Sequence, residues 1–180
     1  MTILVIVEHD NKTILPATLN TITAAAALLE PIEALIFGNE LEDVAKQAST
    51  IASITKVLSA NSEEYAHNLA ENIAPLIQKI ASDYSHIFAP ATTFGKNIMP
   101  RVAALLDMMQ ISDIIEVISS DTFKRPIYAG NALATVKSSD PIKLITVRST
   151  AFDMADLNGG SASIETITAS GDSGLSEFKS

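Results

Sequence analysis

The sequence predicts an α/β fold in three layers, with a five-stranded, mostly parallel sheet in the order 3-2-1-4-5 and an antiparallel β-meander as an extension. Residues 3–7 (Ile-Leu-Val-Ile-Val) form a continuous apolar run rich in β-branched residues, which is typical of a parallel strand buried on both faces. Strand-like and helical segments then alternate along the chain. This alternation indicates right-handed crossovers and helices on both sides of one sheet.

Four strand–helix units are predicted in the first part of the chain. The predicted strands cover residues 3–7, 32–37, 54–58 and 86–89, and the predicted helices cover residues 17–29, 40–49, 65–81 and 96–106. Pro100 falls in the early part of the fourth helix. A proline is tolerated near a first turn, but deeper in a helix it costs about 3 kcal/mol.

The pattern changes beyond Asp107. Short strand-like runs at residues 114–118, 123–128, 132–136 and 144–147 are separated by turns and not by helices. We interpret them as a last parallel strand that leads into an antiparallel meander at one edge of the sheet. Residues 156–180 are rich in Ser, Gly and Thr and lack periodicity, so we predict a domain at 1–155 followed by a Ser/Gly-rich arm at 156–180.

Composition argues against several classes of protein. The formal net charge of −9 has the wrong sign for a protein that neutralises a phosphate backbone, so no nucleic-acid partner is expected. The sequence has no cysteine, which excludes disulfides and thiolate metal sites and favours a reducing compartment. The three histidines, His9, His67 and His86, lack metal-ligand spacing, so no metal site is predicted.

The first apolar run also bears on location. It is too short to span a membrane, has no basic region before it, and is followed at once by Glu8, so an integral membrane protein is not expected. A strand that starts so close to Met1 leaves no room for a transit peptide. We therefore expect a bacterial cytoplasmic chain, or a processed chain of the mitochondrial matrix if the source is eukaryotic.

A ligand crevice is expected between the first and fourth strands, where the winding of such a sheet reverses. The loops at residues 8–18 and 90–97 would line it, and the second loop offers Thr92, Thr93, Lys96 and Asn97 at a helix start. Such a helix N-terminus, with Gly95 beside Lys96, suits an anion. The alternative is that Thr92 or Thr93 caps the helix and Lys96 is solvated. Nucleotide-binding fingerprints of the Walker A and Gly-x-Gly-x-x-Gly types are missing.

The sequence suggests roles for two further pairs of residues. Arg101 on the fourth helix and Asp113 at the head of the next strand are expected to form a structural ion pair that fixes the helix against the strand. His9 with Asp10 would suit a hydrolase or a transferase, but no matching nucleophile arrangement accompanies them.

Several motifs occur along the chain in a characteristic order. They are residues 20–25 (Asn-Thr-Ile-Thr-Ala-Ala), 94–97 (Phe-Gly-Lys-Asn) with 100–104 (Pro-Arg-Val-Ala-Ala), 112–115 (Ser-Asp-Ile-Ile), 128–132 (Tyr-Ala-Gly-Asn-Ala) and 159–163 (Gly-Gly-Ser-Ala-Ser). Together they closely resemble the N-terminal domain of the electron transfer flavoprotein α-subunit family. The resemblance covers nearly all of residues 1 to about 165.

The resemblance implies an electron carrier rather than an enzyme: a heterodimer of α and β subunits that holds one FAD. It would take electrons from acyl-CoA and other dehydrogenases of fatty acid β-oxidation and pass them to a membrane quinone oxidoreductase. AMP is expected in the β subunit, and FAD in a C-terminal part that would begin where this sequence stops. This chain is then a redox-inactive scaffold without bound cofactor or catalytic residues. The subunit or domain interface residues that the resemblance implies are Asn20, Thr93, Phe94, Asn97, Arg101, Tyr128 and Asn131.

A second function stays open because the fold also resembles adenine-nucleotide-binding domains, to which universal stress proteins belong. A free-standing domain of that kind would hold AMP or ATP in the crevice. The loop after the first strand lacks a Gly-rich phosphate cradle, and Phe94 takes up space that a nucleotide would need, so this function is less favoured. A scaffold domain without its partner would expose an apolar face, so a homodimer of the isolated chain is a further hypothesis.

Overall fold

The apolar run at the start of the chain forms the central strand of one large sheet. The structure, a computed structural model, describes residues 1–179. The strands are β1 (Ile3–Ile6), β2 (Ile32–Gly38), β3 (Ile54–Asn61), β4 (His86–Pro90), β5 (Gln110–Ile114), β6 (Glu116–Val117), β7 (Thr122–Ile127), β8 (Ala132–Lys137), β9 (Lys143–Val147) and β10 (Ser163–Thr166). The α-helices are α1 (Pro16–Ala26), α2 (Glu42–Ser49), α3 (Ala70–Ile80) and α4 (Thr93–Leu106).

The large sheet has seven strands in the order β10-β3-β2-β1-β4-β9-β5, and its pairings are all parallel. Strand β1 aligns Ile3 with Ile32 of β2 on one side and with His86 of β4 on the other. Because the strands run in one direction, their carboxyl ends lie along one side of the sheet, which we call the carboxyl edge.

Two hydrophobic cores lie on the two faces of this sheet. Ile3 and Val5 point into the core that α1 and α2 cover, and Leu4 and Ile6 point into the core that α3 and α4 cover. These four side chains are completely buried, at 0% exposure. Burying one such aliphatic side chain contributes about 1.5–3 kcal/mol, so β1 stabilises the packing on both faces of the sheet.

The second sheet is small and antiparallel, in the order β6-β7-β8. It covers the first core near β9 and β5, where Phe123 is buried and Val117 and Val136 pack beside it. The ring nitrogen Nε2 of His86 lies 2.6 Å from the Ser120 carbonyl oxygen and joins β4 to the turn before β7. Burial lowers the pKa of His86, which favours its neutral form.

The predicted class is confirmed: an α/β protein with a mostly parallel sheet and an antiparallel extension. The first four strands lie in the predicted order 3-2-1-4, but the sheet has seven strands and not five. Residues 144–147, predicted in the meander, belong to β9, which lies beside β4, and β5 lies outside it. Leu144–Val147 is buried throughout, and such a run gains more between two parallel strands than in a half-exposed meander.

Helix α4 begins at Thr93, earlier than predicted, so Pro100 lies inside the helix and not near its first turn. Thr92 is the residue that precedes the helix, yet its side chain makes no capping hydrogen bond. The predicted cap by a threonine hydroxyl is therefore wrong, because that hydroxyl has another partner across the crevice.

The arm predicted at 156–180 includes a strand. β10 adds to the free side of β3, aligning Ser163 with Lys56, and its own residues are exposed. Beyond β10 the chain crosses the start of α3, where the Ser173 amide donates to Asn72 Oδ1 at 2.9 Å. We call residues 167–179 the strap. The boundary at residue 155 stays a prediction.

Gly95 provides a test of how tightly β4 and α4 are joined. A Cβ atom at this position would lie 1.9 Å from the Pro90 carbonyl oxygen, so only a glycine at residue 95 lets the helix approach the strand this closely. We expect Gly95→Ala to lower the free energy of unfolding by about 1–3 kcal/mol, measured by urea denaturation. Thr93→Ala, at an exposed position in the same turn, is the control and should change it by less than about 0.5 kcal/mol. Equal effects would contradict the close approach.

Candidate functional site

A crevice opens at the carboxyl edge between the ends of β1 and β4. It lies where the strand order reverses, which is where ligands bind in open α/β sheets. Its volume is about 360 Å³, at the lower end of the range for ligand pockets. The lining residues come from the loop after β1, the start of α4 and the turn before α3, and are Glu8, His9, Leu15, Asn68, Thr93, Phe94 and Asn97.

Glu8 places a carboxylate at the start of α4. Its Oε2 accepts a hydrogen bond from Thr92 Oγ1 at 2.8 Å. Its main chain is held by Thr18, whose Oγ1 accepts from the Glu8 amide at 2.9 Å and donates to the Glu8 carbonyl oxygen at 3.1 Å. Burial raises the pKa of Glu8, and the Thr92 hydrogen bond offsets part of that rise. An ionised Glu8 would place negative charge where a phosphate would need positive charge.

His9 is held by the main chain on both sides of its ring. Its Nδ1 accepts from the Asn11 amide at 3.1 Å, which leaves the proton on Nε2, and Nε2 donates to the Phe37 carbonyl oxygen at 3.0 Å. Burial lowers the pKa of His9. With both nitrogens engaged in an uncharged ring, His9 ties the loop after β1 to the end of β2 and presents no free base for catalysis.

Asp10 also serves the main chain. Its Oδ1 accepts from the amides of Lys12 and Thr13, at 2.9 Å and 2.6 Å. These bonds, with that from Thr13 the stronger, lower the pKa of Asp10. Such a side chain stabilises a turn, and the hypothesis of a hydrolase or transferase that uses His9 with Asp10 gains no support from it.

Phe94 forms an apolar wall of the crevice. Its ring is stacked on Phe37, with the ring centroids 5.8 Å apart and the planes at 17°. It packs at the rim of the second core and is only partly buried. The stacking on Phe37 therefore uses part of the aromatic surface that could otherwise hold a planar base.

A second feature at the carboxyl edge is the hairpin of β7 and β8. The Ile115 amide, just past the end of β5, donates to the Lys124 carbonyl oxygen at 2.8 Å, so residues beyond Lys124 extend past the edge of the sheet. We call residues 125–134 the projecting hairpin. Its turn holds Tyr128 and Ala129 at φ 52°, a left-handed conformation that non-glycine residues rarely adopt. Tyr128 is 82% exposed.

Comparison with known proteins agrees with the sequence motifs. The family model described as "Electron transfer flavoprotein domain" matches residues 3–172. The chain belongs to the electron transfer flavoprotein family.

The similar proteins are α subunits of that family. The chain is 54% identical over 178 residues to electron transfer flavoprotein subunit alpha of Pseudomonas aeruginosa, a match that covers 99% of this chain and 58% of that protein. It is 50% identical over 171 residues to the mitochondrial subunit alpha of Dictyostelium discoideum, covering 91% and 48%. The chain thus corresponds to the N-terminal domain of such a subunit, as the resemblance implied, and spans about half the length of the curated relatives it matches.

The residues that the electron transfer flavoprotein resemblance implied as an interface occupy different environments. Thr93, Phe94 and Asn97 lie together in the crevice. Asn20 is only 9% exposed, and its amide Nδ2 donates to the Phe152 carbonyl oxygen at 2.6 Å, so it fastens α1 to the chain after β9. Their part in an interface stays a prediction.

The predicted ion pair between Arg101 and Asp113 is not formed. Arg101 lies 2.8 Å from Glu71 of α3, and Asp113 pairs with Arg148 at 2.5 Å. The reason is packing: α4 lies beside α3, whereas β5 lies beside β9, so each charged group meets the neighbouring element of its own layer. The hydrogen bond and charge of Asp113 raise the pKa of Arg148.

Sequence reasoning identified the two loops of the crevice but missed Glu8 as its acidic group. The signal was present, because Glu8 directly follows a buried strand and must lie at the carboxyl edge. Within residues 1–179, no helix is long and apolar enough to cross a membrane, and no group of His, Cys, Asp and Glu side chains is suited to hold a metal ion.

Glu8→Gln tests the electrostatics of the crevice. Because the pKa of Glu8 is raised in the folded state, that state binds the proton more tightly than the unfolded chain. Stability therefore falls as the pH rises from the ordinary glutamate pKa of about 4.3 through the raised value. An amide at this position does not titrate and can still accept from Thr92. We expect Glu8→Gln to raise the melting temperature at about pH 7 and to lose that advantage at about pH 3.5.

The measurement is differential scanning calorimetry of both proteins across that range. Glu40→Gln, at an exposed carboxylate, is the matched control and should follow the unaltered chain. An equal melting temperature at every pH for Glu8→Gln and the unaltered chain would show that burial of this carboxylate has no net cost.

Proposed function

We propose that this chain is the scaffold domain of an electron transfer flavoprotein α subunit, which associates with a β subunit and carries no redox group of its own. The observation that carries the proposal is the 54% identity to a subunit alpha over 99% of the chain. The projecting hairpin and the crevice offer surfaces for the other parts of such an assembly. The proposed contacts include Thr93, Phe94, Asn97, Arg101, Tyr128 and Asn131.

In the assembled protein, FAD supplies the redox chemistry. We propose that the assembly accepts electrons from acyl-CoA and other dehydrogenases and delivers them to the respiratory chain through a quinone oxidoreductase. AMP is proposed in the β subunit. The proposed location is the bacterial cytoplasm, or the mitochondrial matrix in a eukaryote, since one relative is named as mitochondrial.

The residues of the crevice do not fit FAD or another nucleotide held within this chain. A phosphate at the start of α4 would face the carboxylate of Glu8, which already accepts a hydrogen bond from Thr92 Oγ1 at 2.8 Å. Two negative groups in one half-buried site repel each other strongly. Lys96, the basic residue of this turn, is exposed. The contribution proposed for this chain is thus shape and subunit contact, and we assign no electron-transfer step to its side chains.

Titration with AMP and ATP separates the scaffold from a free-standing nucleotide-binding domain. Isothermal calorimetry of the purified chain should give no saturable heat with either nucleotide, because the crevice opposes a phosphate. The absorbance spectrum between about 370 and 450 nm should show no flavin band. Saturable binding of a nucleotide in the micromolar range would favour the alternative function, and a bound flavin would contradict the assignment of FAD to other parts of the protein.

Co-expression with an electron transfer flavoprotein β subunit tests the scaffold role directly. We expect a tag on this chain to retain the β subunit through size-exclusion chromatography. Light scattering of the chain alone serves as the control for self-association. Separate elution of the two proteins at micromolar concentration would overturn the proposal.

A further inference from the structure

Arg125 is an unusual residue of the projecting hairpin. Its Nε is buried but has no hydrogen-bond partner within the part of the chain that the structure describes. The ion pairs found among residues 1–179 do not include it. A buried N–H donor that gains no acceptor destabilises the chain that carries it. Arg125 is therefore poorly explained as a stabilising residue of this chain.

The side chains around Arg125 have the character of a contact surface. Along β7, Phe123 points into the first core, and Arg125 and Ile127 follow on the same face beyond the end of β5. Ile127 is 42% exposed and Leu133 is 61% exposed. Because Leu133 pairs with Pro126, it lies on the face of the hairpin opposite to Arg125 and Ile127, so both faces of the tip present apolar surface.

The strained turn adds an independent observation. Tyr128 and Ala129 both keep φ 52° at the tip of the hairpin, and Gly130 follows at φ 89°. Left-handed residues that are not glycine cost free energy and cluster where a ligand or partner is bound. Tyr128 presents its ring outward as a result, and Tyr and Arg are the residue types enriched among those that dominate binding energy at interfaces.

We propose that the projecting hairpin clamps the β subunit, and that Arg125 pairs there with a carboxylate of that subunit. This inference rests on the proposed function, because it names the site at which the two subunits meet. A carboxylate is the expected partner since a guanidinium offers parallel donors that match its two oxygens. Ile127, exposed on the same face, and Tyr128 at the tip would exclude water around the pair, which strengthens it.

The decisive variant is Arg125→Met, which keeps the length of the side chain and removes its charge. We expect the dissociation constant for the β subunit, measured by surface plasmon resonance, to rise at least about tenfold, mainly through faster dissociation. The melting temperature of the free chain should stay the same or rise, because an unpaired buried donor is lost. A residue with a merely structural role would show the reverse pattern, with a lower melting temperature and unchanged affinity.

Lys137→Met is the matched control, because it removes the same charge from the same small sheet at the other end of β8. The affinity of the Lys137→Met chain for the β subunit should stay within about twofold of that of the unaltered chain. Arg125→Lys should fall between Arg125→Met and the unaltered chain, since it keeps the charge without the paired donors.

The outcomes separate the two proposals. If the unaltered chain does not bind the β subunit, the proposed function fails and the clamp fails with it. If the unaltered chain binds and Arg125→Met binds equally well, only the clamp is overturned. A homodimer of the free chain that Leu133→Glu dissociates would show that a second copy, and not the β subunit, covers the hairpin.

Discussion

The burial of β1 on both faces is the constraint on which the rest of the structure depends. Its alternate side chains belong to different cores, so α1 and α2 must lie on one face and α3 and α4 on the other. Because β1 has parallel neighbours on both sides, each connection must lead from the carboxyl end of one strand back to the amino end of the next. The carboxyl ends of β1 and β4 consequently meet at one place, and the crevice, the start of α4 and the close approach at Gly95 all follow from that meeting.

The crevice has the position of a ligand pocket, but its polar side chains form hydrogen bonds within the chain itself. In a nucleotide-binding domain, the amides at a helix start face an anionic ligand. Here the Glu8 side chain lies at the start of α4 and accepts a hydrogen bond from Thr92, the residue that precedes the helix. His9 fastens the adjacent loop through both ring nitrogens. These internal contacts fasten the loop after β1 to the end of β2 and to the start of α4.

Sequence reasoning predicted what depends on local patterns and missed what depends on packing partners. The alternation of apolar, strand-like runs with helices predicts the parallel sheet, and the predicted order of β1, β2, β3 and β4 is the usual one for a sheet of this class. The position of β9 beside β4 was not predicted, because a short apolar run flanked by turns has the same pattern in a meander and in a parallel sheet. The polar β10 has no apolar pattern at all, since it lies exposed at the side of β3.

The same distinction explains the charged residues. The sequence predicts a pair of Arg101 and Asp113 because they lie in consecutive elements and arginine favours carboxylate contacts, yet ion pairing is decided by which elements lie side by side. Arg101 meets Glu71 because α4 packs on α3, a contact that no spacing along the chain reveals. Arg125 could be recognised only once its neighbours were known, because its significance is the lack of an acceptor within a half-buried environment.

Stability in this molecule is distributed so that its two exposed elements can act without disturbing the cores. The strap makes polar contacts such as the Ser170 amide on Tyr65 Oη at 2.8 Å and the Ser176 hydroxyl on Glu71 at 3.1 Å, and it packs Ile167 at the edge of the second core. The projecting hairpin has only its β7–β8 ladder beyond the edge of the sheet. Segments with few buried apolar contacts open at a small fraction of the free energy of global unfolding. The scaffold role that we propose would use this combination, because the double core would fix where partners bind and the exposed elements at the carboxyl edge could adapt to them.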